Sequence, residues 1–411
     1  MTTTTTTWRE LAAELDAADP LAGVRDEFLL DSAPGVTAYL DGNSLGRPLR
    51  ATATRMTAFI EREWGGRLIR GWTEGWMDWP QQLGDQLGRA VLGAAPGQTV
   101  VADSTTVMLY KLARAAVDAA ADGRDEIVCD TDNFPTDRYV VEGIAAERGC
   151  RVRWIETDPD AGITLDQVRA AVGPRTALAL FSHVAYRSAH LADAPGITRA
   201  VHDAGGLVLF DLSHSAGSVE LDLDGWGVDL AVGCTYKYLC GGPGAPAFGY
   251  LAARHHGVLR QPVQGWMGHA DPFAMGPGHT PAAGARALLS GTPPIVAMVP
   301  VRCGLDLVER VGMAAIRAKS VLLTRFALDL ADDLLAGAGV TVASPRADAE
   351  RGGHVTLRRP DFRAVNDRLW EAGVIPDFRA PDGIRLGLAP LSTSFAEVLE
   401  GVQVLAREAG R

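Results

Sequence analysis

The sequence predicts an α/β protein: a large domain built on a mainly parallel sheet, and a smaller C-terminal α+β domain. Three observations predict it. Short apolar runs alternate with helical patterns from Thr99 to Cys234, the signature of strands joined by crossover helices. Polar residues suited to chemistry, Thr106, Ser182, Asp211 and Lys237, fall where those runs end, which is where sites lie in such sheets. Beyond about residue 310 the order becomes strand, helix, strand, helix, a compact unit of its own. At 411 residues the chain exceeds one small core, and we divide it into an N-terminal segment (1–50), a large domain (51–310) and a small domain (311–411).

Taken in order, Trp8 to about Asp19 has helical apolar spacing, and Tyr39–Leu40 is a short strand entering the turn Asp41-Gly42-Asn43-Ser44-Leu45-Gly46. Ala51 to about Trp64 is an amphipathic helix, followed by Trp72, Trp76 and Trp79; aromatics this dense are mostly core, with a pocket wall as the alternative. Thr99–Ala102 is a strand, and Asp103-Ser104-Thr105-Thr106 opens a helix to about Ala119. Small hydroxyl residues there cap the helix, and the same geometry offers backbone N–H groups to a phosphate. Strands follow at 126–129, 151–155, 176–182, 207–210 and 229–234, with helices at 139–147, 165–172 and 195–204 between them. A loop-rich section through Trp266 and Gly291-Thr292 leads to long helices at about 295–311 and 315–336. The small domain reads as strand 353–358, helix 362–372, strand 384–388 and helix 395–408.

Composition narrows the function. Hydrophobic residues at 47% and charged residues at 22% fit a globular protein with ample core. A net charge of −11 argues against nucleic acid or an anionic membrane as partner. The five cysteines have no metal-ligand or disulfide spacing, so no metal site is expected. Met1 and the six threonines after it carry no basic and apolar leader, and the expectation is a cytoplasmic protein.

The chemistry centres on Asp229 to Gly244, an apolar strand that ends at Thr235-Tyr236-Lys237-Tyr238 and passes into a glycine-rich turn. A lysine walled by aromatic groups loses stability as an ammonium, and its neutral amine can condense with an aldehyde. The plain alternative is a loop lysine in water. Asp211 ends an earlier strand, and an acid with a lysine is what pyridoxal phosphate requires: a partner for its pyridine nitrogen and an amine for its aldehyde. Thr105 and Thr106 would then face the phosphate. No G-x-G-x-x-G follows the first strand and no Walker lysine is present, which makes a dinucleotide enzyme a poor fit. Phe134 could stack on a planar ring or fill the core, and His214 could bond the cofactor or simply be packed. Arg385, flanked by apolar residues, wants a carboxylate, either internal or from an amino-acid substrate.

From about Tyr39 onward the chain resembles the kynureninase family. The resemblance rests on Y-L-D-G-N-S-L-G at 39–46, N-F-P-T-D at 133–137, D-L-S-H-S-A-G at 211–217, C-T-Y-K-Y-L at 234–239, G-W-M-G-H at 265–269, G-T-P-P-I at 291–295, R-G-G-H-V at 351–355 and R-L-G-L-A-P-L at 385–391. It implies a fold-type I pyridoxal-phosphate architecture and hydrolysis of L-kynurenine to anthranilate and L-alanine. It implies that Lys237 binds the cofactor covalently, Asp211 pairs with its ring nitrogen and Phe134 stacks on it. Thr105, Thr106, Ser182 and Tyr236 line the cofactor, Asp137 and His214 lie beside it, and Tyr236 is the candidate acid/base. Trp266 and Thr292 would come from the partner subunit of a homodimer with shared sites. Arg385, Trp64, Gly291 and Asn43 would hold the substrate, in the bacterial form that goes with kynurenine over its 3-hydroxy derivative.

The chain departs from the family at Cys240 (usually Asn), Ala185 (Asn), Ser188-Ala189 (Thr-Gly) and Ser392 (Tyr). Most of these lie close to cofactor or substrate motifs, and 3-hydroxykynurenine or another substituted kynurenine is the alternative substrate. A desulfurase or aminotransferase of the same fold is the second enzymatic reading, although no cysteine lies beyond Cys303 to serve a desulfurase. A pyridoxal-phosphate-binding regulator is the non-enzymatic one.

Overall fold

The apolar runs of the first half are hydrophobic at consecutive positions, the pattern of strands covered on both faces. The computed structural model describes residues 3–410; Met1 and Thr2 of the threonine run, and Arg411, lie outside the described residues. In chain order the strands are β1 (Ala38–Leu40), β2 (Thr99–Val101), β3 (Glu126–Asp130), β4 (Arg151–Ile155), β5 (Thr176–Ser182) and β6 (Leu207–Asp211). They continue as β7 (Leu230–Gly233), β8 (Phe248–Leu251), β9 (Thr341–Val342), β10 (His354–Arg358), β11 (Val374–Arg379) and β12 (Gly383–Gly387).

Seven of these form one sheet in the order β2-β8-β7-β6-β5-β3-β4. The run from β7 to β4 is parallel, as expected, and only β8 enters antiparallel, between β7 and β2. Burial on both faces is visible along β5, where Ala179 and Phe181 meet one apolar cluster and Leu178 and Leu180 the other. Three of the four crossover helices start on a side-chain cap, and the fourth, Pro135–Arg148, starts on a proline instead. Ser104 accepts from the Val107 N–H, Thr164 and Gln167 form a capping box, and Asp193 accepts from the Gly196 N–H.

The other five strands form a second sheet in the order β1-β11-β12-β10-β9, with β1 parallel to β11 and the remaining pairs antiparallel. The N-terminal strand thus belongs to the C-terminal sheet. Polar contacts hold it there: the Glu397 carboxylate accepts from the Tyr39 N–H (2.8 Å) and pairs with Arg25 and Arg47. Asp16 accepts from the N–H groups of Phe395 and Ala396, capping the last helix from outside it. Helix Ile295–Val311 packs on the large-sheet side against Arg50–Ala58 and Trp79–Leu87, and helix Met313–Leu334 packs on Phe395–Ala409. Gly312, at φ +85°, makes the turn between them.

The helix expected to run to Trp64 is α-helical only to Ala58 and widens into a π turn over Phe59–Trp64. Trp76 and Trp79 are core, as expected of most of that group, whereas Trp64 is exposed. No helix among the described residues is long and apolar enough to cross a membrane.

Candidate active site

The parallel strands deliver their carboxyl ends to one side of the large sheet, and a cavity of about 280 Å³ opens there. β6 ends on Asp211 and β5 on Ser182, while the segments after β3 and β7 bring Phe134, Asp137, Tyr236 and Lys237. Thr105 and Thr106 arrive at the N-terminus of helix Thr105–Asp118. Nine residues singled out in the sequence therefore share this cavity: Thr105, Thr106, Phe134, Asp137, Ser182, Asp211, His214, Tyr236 and Lys237.

The lysine loop is shaped by short backbone bonds. The Cys240 N–H donates to the Lys237 carbonyl (3.0 Å), the Gly241 N–H to Thr235 (2.8 Å), and the Gly46 N–H to Tyr236 (2.9 Å). A methyl group on Gly46 would overlap the Lys237 carbonyl, so the turn after β1 and the lysine loop fit only through that glycine. Lys237 Nζ stands 2.9 Å from His214 Nε2. Burial holds the Lys237 amine below the ordinary lysine range, and burial followed by the Lys237 charge keeps His214 neutral. The neutral imidazole and the amine share one hydrogen bond, whose direction follows the imidazole tautomer.

Asp137 and Asp211 are both buried. Burial first, and then the Asp211 charge, holds the Asp137 carboxyl well above the usual carboxylate range, and burial raises Asp211 as well. Asp211 Oδ1 accepts from the Ser213 N–H (2.8 Å), while Asp137 Oδ2 is buried without a partner among the described residues. Two buried acids with a free acceptor want a cationic N–H. The protonated pyridine of pyridoxal phosphate supplies one. With an amine at Lys237 and a helix N-terminus for the phosphate on the same cavity, these residues fit that cofactor.

Phe134 is partly exposed at the cavity wall and meets the Tyr186 ring edge-on at 5.3 Å. Asn133 sets its position, accepting from the Phe134 N–H (2.8 Å) and from Ser182 Oγ (2.7 Å). Tyr186, Asp103, Ser104, Thr136 and Ser213 also line the cavity. Sequence reasoning did not single these out as site residues, although each flanks or sits within a segment that it had placed near the site.

The remaining candidates lie outside the cavity lining. Arg385, on β12, is buried and already holds the internal carboxylate left open above: its Nε donates to Asp377 Oδ2 (2.7 Å), with further bonds to the Tyr186 carbonyl and to Ser44 Oγ. Asn43 is fully buried beside Gly387, and neither amide atom has a partner among the described residues. Trp64, Gly291 and Thr292 are exposed, and Trp266, 39% exposed, borders a separate open recess with His269 and Met275.

Two departures from the family pattern sit on unusual backbone. Cys240 has φ +55° and Ala189 φ +65°, the left-handed region that asparagine and glycine, the usual residues there, occupy most easily. Both are buried, so the substitutions keep the path of the chain and change what lines it.

A kynureninase from Burkholderia pseudomallei (strain K96243) is 42% identical over 403 residues, covering 97% of this chain and 94% of that protein. The chain belongs to the kynureninase family. The kynureninase of Pseudomonas fluorescens is 40% identical over 406 residues, covering 97% and 95%. The model for the kynureninase C-terminal domain matches residues 316–405. Among solved structures, a C-DES mutant with glycine covalently linked to its PLP cofactor superposes with a TM-score of 0.80 at 20% identity, over 94% of this chain and 98% of that one. A cysteine desulfurase from Thermococcus onnurineus gives 0.76 at 18%, over 94% and 97%. At such identities the likeness is one of fold, and it gives the kynureninase family chain the fold-type I architecture expected from its motifs.

Proposed function

We propose that this chain hydrolyses the Cβ–Cγ bond of L-kynurenine, releasing anthranilate and L-alanine, with pyridoxal phosphate as cofactor. The observation that carries the reading is the meeting of the Lys237 amine, the Asp137 and Asp211 carboxyls and a helix N-terminus on one cavity, in a chain of this family. When bound, the cofactor supplies an electron sink that loosens bonds at the α-carbon and then the bond beyond the β-carbon.

The protein's part is to bind, orient and move protons. Thr105 and Thr106 would present N–H groups to the phosphate, and Ser182, fixed by Asn133, would help hold the ring. Asp211 holds the proton on the ring nitrogen, backed by Asp137. Lys237, kept partly unprotonated by burial, accepts the substrate α-proton, and His214 Nε2 steadies the amine. Burial raises the Tyr236 phenol, so it keeps its proton at neutral pH and can donate it as the carbon–carbon bond parts. Arg385 is the cation we assign to the substrate carboxylate, for which its Nη groups would exchange the Tyr186 carbonyl and Ser44 Oγ while Asp377 keeps Nε.

The working unit we propose is a homodimer with shared sites. Trp64, Trp266, Gly291 and Thr292 stand outside the cavity of their own chain, and exposed Leu68, Ile69, Phe273 and Met275 add apolar surface suited to a partner. Trp64, Gly291 and Thr292 form the aryl pocket, selecting kynurenine over its 3-hydroxy derivative. Five cysteines without a disulfide suit a reducing compartment, and the cytoplasm is the location we infer.

The test is incubation of the cofactor-loaded protein with L-kynurenine, 3-hydroxykynurenine and cysteine, following anthranilates, alanine and sulfide. Anthranilate and alanine from kynurenine, with a lower kcat/KM for the 3-hydroxy compound, are expected. Sulfide from cysteine with no anthranilate would overturn the reading.

A further inference from the structure

Lys111 is a lysine that the reaction does not use, yet its side chain is wholly buried, a state in which lysine almost never stands without a partner. It lies two turns into helix Thr105–Asp118, and side chains on a helix lean toward its N-terminus. Its Nζ reaches back to Asp103 Oδ2 at 2.6 Å and donates to the Leu288 carbonyl at 2.8 Å.

Asp103 lines the cavity beside Ser104, Thr105 and Thr106. Its φ of +53° explains the residue type, because aspartate tolerates this backbone better than most. Its carbonyl accepts from the Ala247 N–H (2.9 Å), joining the cradle to the segment that follows the lysine loop. The carboxylate, however, is a fixed negative charge where a phosphate is to sit, and like charges a few Å apart repel strongly in a partly buried site. Only its pairing with a cation makes it compatible with an anionic ligand. Leu288, the other partner of Lys111, ends the turn of 3₁₀ helix that leads to Gly291 and Thr292.

We propose that Lys111 is a positioning residue of the phosphate cradle: its buried ammonium cancels the charge of Asp103, leaving the helix N-terminus to meet the phosphate, and its bond to Leu288 ties the cradle to the segment bearing Gly291 and Thr292. The inference rests on the reading of this cavity as a pyridoxal-phosphate site, and it adds a residue that acts through Asp103 without touching the ligand.

The test measures dissociation constants of the full chain for pyridoxal phosphate, pyridoxal and inorganic phosphate, by fluorescence quenching and ligand-induced shift of thermal unfolding. Lys111→Met exposes the phosphate to Asp103 and should weaken pyridoxal phosphate about 10–100-fold, the effect of one uncancelled charge at an effective dielectric near 20. Inorganic phosphate should weaken with it, and pyridoxal should hold. Lys111→Met combined with Asp103→Asn removes both charges and should restore binding to within about threefold of wild type. Asp103→Asn alone, which preserves the helix and keeps Lys111, should bind the phosphate ligands at least as tightly as wild type; it decides the matter should Lys111→Met fail to fold. Weaker binding by Asp103→Asn, unchanged binding by Lys111→Met, or a double variant as weak as Lys111→Met would each overturn the proposal. A wild-type chain that binds neither phosphate ligand would overturn the cofactor site itself, and the role of Lys111 with it.

Discussion

Lys237 and Tyr236 are neighbours in the chain, but burial acts on them in opposite senses: it favours the unprotonated amine and the protonated phenol. In the proposed reaction the loop would then supply both a base and an acid, the division of labour that a carbon–carbon hydrolase needs. Tyr236→Phe should keep the visible absorbance of the bound cofactor while slowing turnover of kynurenine by roughly 10²–10⁴-fold; stopped assays beside a spectrum check both, and unchanged turnover removes Tyr236 from the chemistry. At this scale the sequence was informative wherever a side chain follows a strand end, because a parallel sheet sends all such ends to one side. It was silent on Asp377, the carboxylate that claims Arg385, because the two meet by strand pairing between β11 and β12 and by no spacing visible along the chain. Tyr186 escaped notice for a similar reason: only the fold brings its ring against Phe134 and its carbonyl against Arg385.

The strands and helices were legible where their apolar pattern was unbroken. β8 was not, since it emerges from Gly-Gly-Pro-Gly-Ala-Pro and spans four residues, and β11 contains Pro376 with the charged Asp377 and Arg379. Both are nonetheless interior strands, held by neighbours on each side. Two connections between elements make testable demands. Gly46 lets the turn after β1 approach the lysine loop, so Gly46→Ala should destabilise the fold by about 1–3 kcal/mol and shift Lys237 enough to weaken cofactor binding; urea unfolding and a cofactor titration measure the two effects. Asp229, just before β7, is buried and accepts from the Val208 N–H (2.8 Å), His202 (2.8 Å), His255 (2.7 Å) and Arg254 (2.6 Å). Burial alone would raise its pKa, but these bonds outweigh it and leave the carboxyl below the usual range. A depressed pKa stabilises the fold above about pH 4, the unfolded value, and that contribution is lost as pH falls below it. Asp229→Ala should cost about 3–5 kcal/mol at pH 7, and urea titrations should show the gap from wild type narrowing on acidification below about pH 4.

For the whole molecule, a shared-site dimer makes a prediction that no isolated chain can satisfy. Lys237→Ala and Trp266→Ala should each be nearly inactive alone, whereas mixed and refolded together they should regain activity, because a heterodimer rebuilds one site with both residues intact. Sedimentation should show the wild type at twice the chain mass; a monomer of full activity would refute the arrangement. The C-terminal unit was readable as a strand and helix alternation, but its first strand was not, since β1 is separated from its partner β11 by most of the protein. That separation bears on how the chain is made. About 330 residues are synthesised between Leu40 and Val374, roughly 20–70 seconds of translation at ~5–20 residues per second. Until then β1 waits on the ribosome with no sheet to enter, an unpaired edge of the kind chaperones shield. A strand made early is thus placed late, and a chain lacking it would leave β11 as the uncovered edge of the second sheet.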